Sequence, residues 1–279
     1  MALDIQPVTG ACGALIAGVR LADLSETNFQ LIQQTLSTYG VVFMPDQDLN
    51  LESLAGFGSR FGQLEVHPIV DGLEDMPQVT KVWKPAGESA SFGTGWHSDN
   101  TFQQCPSMGS VLYSKTIPPV GGDTLFAHQA LAYDRLSDAM KAMLAGMQAV
   151  HSASEAYTVA GTQEKYQKKT AITYSWSDSI HEEVLHPVVR THPFTGRKAL
   201  FVNPMFTLRF EGMSQAESQP LLSWLFEHAT RPEFCCRFRW AENTVAIWDN
   251  RLVQHYAVDD YQDYERLMYR VTIAGDRPV

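Results

Sequence analysis

Six short runs rich in β-branched, aromatic and aliphatic residues, at 109–117, 186–192, 198–203, 235–240, 244–248 and 267–274, set the class of fold open to this chain. They are bounded by turn signals: Pro118-Pro119, Gly121-Gly122-Asp123, Thr195-Gly196 and Glu242-Asn243. Many short strands at such spacing favour a β-sandwich or barrel over a doubly wound parallel sheet, which needs a helix between successive strands. Helical spacing is confined to four places. Residues 28–39 carry Phe29, Ile32 and Leu36 on one face and stop at Gly40, after which Val41 to Met44 reads as a buried strand ended by Pro45. Asn50 caps a second helix over 51–61, a third spans 137–147, and Ser214 with Glu217 forms a capping box for a fourth through Leu221, Leu222, Leu225 and Phe226. Neither a repeat nor a Pro/Ser-rich linker divides the sequence, so one domain over 1–279 is expected. Residues near 157–183 are polar and aperiodic, long for a connection, and read either as a lid over a site or as a surface loop.

A chain of 279 residues buries about three quarters of its unfolded surface, so it needs neither disulfides nor a metal merely to hold together. A metal, if bound, is therefore expected to do chemistry. With 31 acidic against 21 basic side chains, the formal charge of −10 argues against partners recognised through phosphate neutralisation, nucleic acid and anionic membrane alike. Uncharged stretches such as 5–19 and 100–114 are too short and too broken by Gly, Pro, Thr and Gln to span a bilayer. The first residues, Met1-Ala2-Leu3-Asp4, place no basic group ahead of an apolar run. Cys12, Cys105, Cys235 and Cys236 contain no C-x-x-C pair and read as reduced thiols, with Cys235 and Cys236 facing opposite ways on a strand. A cytoplasmic protein acting on a small molecule is the resulting expectation.

Within Trp96-His97-Ser98-Asp99, an imidazole and a carboxylate stand two apart, which on extended chain puts both on one face. With a third ligand from another strand they would make a two-histidine, one-carboxylate triad on one face of an octahedral ion, leaving three positions open. His255 is a candidate for that ligand, because Asp249-Asn250-Arg251 reads as a turn returning the chain after the apolar strand 244–248; an isolated histidine is equally a core or surface residue. Asp249 itself reads as a turn residue or as a carboxylate that orients a ligand. Farther on, Arg266 and Arg270 are four apart in an otherwise apolar strand and share a face. Two like charges in a sheet interior are costly without anions, so they either meet anionic ligands or lie at the surface paired with Asp259, Asp260, Asp263 or Glu265.

The run Trp96-His97-Ser98-Asp99-Asn100-Thr101-Phe102-Gln103-Gln104, followed by Pro118-Pro119-Val120-Gly121-Gly122-Asp123-Thr124-Leu125, resembles the iron(II)/2-oxoglutarate dioxygenases of the taurine and 2,4-dichlorophenoxyacetate dioxygenase family. His186-Pro187-Val188-Val189-Arg190-Thr191-His192-Pro193, Gly196-Arg197-Lys198, Phe238-Arg239-Trp240, Trp248-Asp249-Asn250-Arg251 and Gln254-His255 are similar and in the same order, so the likeness covers nearly the whole chain. The resemblance implies an α+β protein with a double-stranded β-helix (jelly-roll) core and flanking helices. It implies Fe(II) held by His97, Asp99 and His255, with Thr124 and Arg266 on the distal carboxylate of the co-substrate 2-oxoglutarate, and dioxygen as the oxidant. Asp99 implies hydroxylation, since halogen-transferring relatives lack that carboxylate. A homo-oligomer, dimer or tetramer, is also implied.

By the same resemblance, His67 and Arg270 fall where relatives bind the anionic group of the primary substrate. Taurine enzymes typically carry a tyrosine three residues after that histidine and an asparagine four before the first ligand, where this chain has Val70 and Gly93. A pocket stripped of polar partners rejects a polar ligand, so the expected substrate is a less polar anion: an alkylsulfonate, a sulfate ester or an aryloxyalkanoate. Hydroxylation beside the sulfonate, sulfate or aryloxy group would then release sulfite, sulfate or a phenol. The alternatives are taurine dioxygenase proper, a non-oxidative cupin-like metal enzyme, and a non-catalytic binder.

Overall fold

The structure is a computed structural model that describes residues 3–88, 93–157 and 178–279. Strands β1 (Asp4–Pro7) and β2 (Ala14–Ala17) form a hairpin; helix α1 (Glu26–Tyr39) leads into β3 (Val41–Met44), and α2 (Leu51–Ser59) into β4 (Leu64–Glu65) and β5 (Val79–Lys84). Next come β6 (Gly109–Thr116), β7 (Thr124–His128), the short helices α3 (Gln129–Asp134) and α4 (Asp138–Leu144), then β8 (Gln148–His151), β9 (Val184–Pro187), β10 (Val189–Thr191), β11 (Lys198–Leu200) and β12 (Thr207–Phe210). After α5 (Gln215–Ala229), the chain closes with β13 (Cys235–Phe238), β14 (Val245–Asp249), β15 (Val253–Ala257) and β16 (Arg266–Ile273).

Local chemistry sets the helix ends. Ser25, Asn50, Ser137 and Ser214 accept a backbone N–H at the starts of α1, α2, α4 and α5, and the Ser214–Glu217 capping box is complete. Gly40 stops α1 in the left-handed region at φ 75°, which a Cβ would disfavour. The expected helices are thus present, each one to three residues shorter or longer at its ends. The expected strand over 186–192 is two shorter strands, β9 and β10, with Val188 between them.

The major sheet runs β1-β2-β3-β14-β6-β16-β4, with β5 paired to the free side of β16, and a minor sheet runs β13-β7-β15. Alternation along the major strands separates two cores. Val42, Met44, Val111, Tyr113, Val245, Ile247, Val271 and Ile273 face α1 and α2, packing on Ile32, Leu36, Leu54 and Phe57. The residues between them, Val41, Phe43, Leu112, Ala246, Trp248 and Met268, face inward against Phe126, Cys236 and Val253 of the minor sheet. This two-sheet sandwich with flanking helices is the expected jelly-roll. It leaves polar residues of both sheets facing one another at one end.

Several buried histidines serve the scaffold. His128 meets the Thr38 carbonyl, His186 the Gln103 carbonyl, and His151 the Thr101 hydroxyl. Burial pushes His128 and His186 down to about 4 and His151 well below its ordinary value. Below pH 6.5 the unfolded chain binds protons that the folded chain refuses down to about pH 4, so stability rises with pH across that window. The slope is at most about 1.4 kcal/mol per pH unit for each histidine. The urea midpoint of the metal-free protein is therefore expected to fall between pH 7 and pH 5; a flat midpoint would contradict these assignments.

Candidate metal centre and co-substrate pocket

Backbone pairing brings the two candidate histidines together. His97 donates its N–H to the His255 carbonyl at 3.1 Å and accepts from the His255 N–H at 2.8 Å, an isolated antiparallel bridge. Directly opposed residues project to one side, and the ring centroids lie 4.2 Å apart. Asp99, two residues on, joins the same side: its Oδ1 is 3.7 Å from Nε2 of both His97 and His255. All three side chains are buried, and their candidate ligand atoms lie within 4.8 Å of one another. A separation of 3.7 Å is too long for a hydrogen bond and leaves room for a cation between the donors.

The other carboxylate oxygen is saturated. Asp99 Oδ2 accepts from Arg270 Nη2 at 2.8 Å, Asn250 Nδ2 at 3.1 Å, and Ser110 Oγ and Trp248 Nε1 at 3.2 Å each. Sheet register explains the convergence. Ser110 on β6 is opposite Trp248 on β14 and Thr272 on β16, and Arg270 lies two residues from Thr272, so all three ligand supports share the inner face. The Asn250 side-chain oxygen also accepts the Asp99 N–H at 3.2 Å and the Trp248 indole at 3.0 Å. Burial, the largest single influence, would raise the Asp99 pKa, but the Arg270 guanidinium and the His255 and His97 rings together outweigh it and hold the carboxyl well below the usual range. Burial and Arg270 together keep both imidazoles below their ordinary values. His97 Nδ1 is 2.9 Å from the Gly95 carbonyl, which can only accept, so Nδ1 carries the proton and Nε2 offers a lone pair. An ionised oxygen and unprotonated nitrogens suit a divalent cation of borderline softness.

The small cavity that His97 and His255 line is also lined by Val82, Gly93, Leu112, Ala257 and Arg270, and by Thr124 on β7 and Arg266 on β16. Both are buried, and Arg266 Nε has no partner among the described residues. Its guanidinium carbon stands 5.9 Å from the Tyr261 ring and 6.0 Å from the Trp240 ring, while Trp240 Nε1 donates to Thr124 Oγ1 at 2.9 Å. Arg266 and Arg270 point to one face, as their spacing requires, and Arg270 is neutralised by Asp99 rather than by a surface acid. Nε and Nη2 of Arg270 also reach Ser110 Oγ, at 3.1 and 2.8 Å.

His67 is a turn residue with its tautomer fixed. Its Nδ1 accepts the backbone N–H groups of Val70 and Ile69 at 2.9 and 3.2 Å, and burial with the charge of Arg270 pushes it down to about 3. It is therefore neutral and carries its proton on Nε2, as a donor. Nearby, Ile69, Phe102, Ala153, Ile180 and Phe206 form an apolar cluster, and Phe206 lies 6.3 Å from the His97 ring. Val70 is buried and Gly93 sits at φ 77°. Of the segment near 157–183 that reads as a lid or a surface loop, residues 158–177 lie outside the described residues.

Ser110, Trp248, Asn250 and Trp240 carry no signal in the sequence that marks them as individual contributors. Asn250 and Trp248 meet Asp99 across about 150 positions of chain, which no local pattern encodes. Asp249 accepts from His192 Nε2 at 3.1 Å and Arg251 Nη2 at 2.7 Å, so it stabilises its turn and supports no candidate ligand. Among the described residues no helix is long and apolar enough to cross a membrane.

Residues 4–272 match the family model described as "Taurine catabolism dioxygenase TauD, TfdA family". The chain is 37% identical to the alpha-ketoglutarate-dependent sulfate ester dioxygenase of Pseudomonas putida, covering 99% of this chain and 91% of that protein. It is 35% identical to the alkylsulfatase of Acinetobacter baylyi, over 98% and 86% of the two chains. Among solved structures, a taurine dioxygenase from Burkholderia xenovorans superposes with a TM-score of 0.84 at 34% identity, covering 100% of this chain and 91% of the other. Fold, site and sequence agree: the chain belongs to the taurine catabolism dioxygenase TauD, TfdA family and is a 2-oxoglutarate-dependent dioxygenase.

Proposed function

We propose that this single-domain enzyme uses iron(II) and 2-oxoglutarate to hydroxylate a small organic anion of the sulfate ester class, at the carbon bearing the ester oxygen. His97, Asp99 and His255 would hold the iron, and Thr124 and Arg266 the distal carboxylate of 2-oxoglutarate. The observation that carries the reading is the convergence of His97, Asp99 and His255 beside a small cavity that both histidines line together with an arginine whose Nε has no hydrogen-bond partner among the described residues. Bound iron(II) supplies dioxygen activation coupled to decarboxylation of 2-oxoglutarate to succinate and carbon dioxide.

The chain's residues do the rest. Four donors hold Asp99 Oδ2, so Asp99 would offer only Oδ1 to a bound ion and, with the two histidines, would leave room there for co-substrate and oxidant. A guanidinium fork matches a carboxylate and keeps its proton, and the Thr124 hydroxyl adds a donor. Arg270 Nη1 and the His67 Nε2 proton would meet the substrate anion, while Ile69, Val70, Phe102 and Phe206 exclude water from its organic part. Hydroxylation of R–CH2–OSO3− gives R–CH(OH)–OSO3−, which breaks its C–O bond to leave R–CHO and hydrogen sulfate. Neither the Val70 side chain nor Gly93 offers a polar partner for taurine's amine, which supports a sulfate ester over taurine.

Substrate-dependent succinate formation across alkyl sulfates, alkylsulfonates, phenoxy acids and taurine tests this: alkyl sulfates are expected to give the highest kcat/KM and taurine the lowest. Efficient sulfite release from taurine would refute the assignment. His67→Ala is expected to raise the sulfate ester KM by roughly 10- to 100-fold, the worth of a hydrogen bond to a charged group, while the co-substrate KM stays put. An unchanged sulfate ester KM would remove His67 from the site. A cytoplasmic dimer or tetramer belongs to the same proposal, its assembly readable by light scattering.

A further inference from the structure

We infer that Trp240 is a positioning residue for 2-oxoglutarate: its indole N–H occupies one acceptor site of Thr124 and so favours the rotamer in which the Thr124 hydroxyl donates into the cavity. The inference rests on the proposed role of Arg266 and Thr124 and extends it to a residue that does not itself touch the co-substrate.

The direction of the 2.9 Å bond from Trp240 Nε1 to Thr124 Oγ1 is chemically fixed, since an indole N–H can only donate. A threonine hydroxyl has one proton and two acceptor sites. With one acceptor site filled, its proton must point elsewhere, and among the described residues it has no protein acceptor. Thr124 and Arg266 line the same cavity, and Arg266 Nε is likewise unspent, so two donors converge where an anion fits. The backbone supports the arrangement: Thr124 pairs with Phe238 of β13 and Ala257 of β15, and Trp240 lies two residues beyond Phe238, on the same strand face if the chain stays extended. Phe238 and Trp240 pack edge to face at 5.3 Å, and Phe43 stacks on Phe238 at 3.7 Å, so the indole is held by an aromatic cluster rather than by solvent. Without the N–H, the hydroxyl can rotate to present a lone pair, which repels a carboxylate.

The test is anaerobic titration of the iron(II)-loaded protein with 2-oxoglutarate, read by the visible charge-transfer band of the chelate. Trp240→Phe and, to preserve the bicyclic shape, a benzothienyl isostere of tryptophan at position 240 both delete the N–H. Each is expected to weaken 2-oxoglutarate binding about three- to tenfold, the worth of one neutral hydrogen bond, and to raise the co-substrate KM while kcat at saturation and the thermal midpoint of the isostere protein stay put. Thr124→Val is expected to cost a similar factor. In the Thr124→Val background, removing the Trp240 N–H is expected to cost nothing further, because its effect passes through that hydroxyl. Equal losses in both backgrounds, or no loss from the isostere in the wild-type background, would overturn the inference. Arg266→Lys is the control: if it too leaves 2-oxoglutarate affinity unchanged, the co-substrate assignment itself fails.

Discussion

Asp99→Ala is expected to lose iron(II) affinity by more than about 100-fold and, without any metal, to unfold more easily by about 3–5 kcal/mol. Both effects come from one carboxylate with two differently used oxygens. Oδ1 faces the imidazoles of His97 and His255, and Oδ2 terminates donors from Arg270, Asn250, Ser110 and Trp248. Truncation removes the only carboxylate among the three candidate ligands and strands a guanidinium whose exposure is 5%. A buried charge left without its counter-ion costs far more than the intact pair contributes. Asp99→Asn keeps the volume but places an N–H₂ group against either the four donors or the metal, so it is expected to lose the metal as well, with a smaller stability loss. Urea unfolding and metal titration of the two variants check this. An Asp99→Ala protein as stable as the wild type would show that the Arg270 pair does not hold in solution.

Arg266→Lys is expected to weaken 2-oxoglutarate binding by about 1.5–3 kcal/mol, roughly 10- to 150-fold, with the sulfate ester KM little changed. Lysine keeps the charge and loses the planar fork that meets a carboxylate with two parallel N–H groups. The site magnifies the difference because burial already works against the charge there, lowering the Arg266 pKa against the pull of Tyr261 and Asp123. A shorter-reaching ammonium in so dry a place is also more readily deprotonated. Unchanged affinity would mean that the co-substrate's far carboxylate lies elsewhere.

What the sequence discloses follows from period and capping. Arg266 and Arg270 share a face because four is a multiple of two, and the α1 boundary is set by Gly40. His97 and Asp99 are legible as a pair for the same reason; that His255 stands directly opposite His97 is not, because the bridge lies outside any regular strand pair of the sheets. Strands of two to four residues, such as β1, β2 and β4, and the six-residue helix α3 are too short to generate a period. The supports of Asp99 depend on register between β6, β14 and β16, information that exists only once the strands are paired. Family likeness supplies roles for Thr124, Arg266, His67 and Arg270 that spacing alone leaves open. The Asp99–Arg270 pair is not legible either: spacing offers Arg270 only nearby surface acids, whereas its carboxylate is a buried candidate metal ligand from a distant part of the chain.

The most direct measurement adds iron(II) and 2-oxoglutarate to the anaerobic protein and to its His255→Ala variant and records the visible spectrum. A charge-transfer band saturating at one iron per chain is expected in the wild-type protein and no band in the variant; no band in the wild type, or an equal band in both, would mean that His255 and its neighbours do not hold the iron.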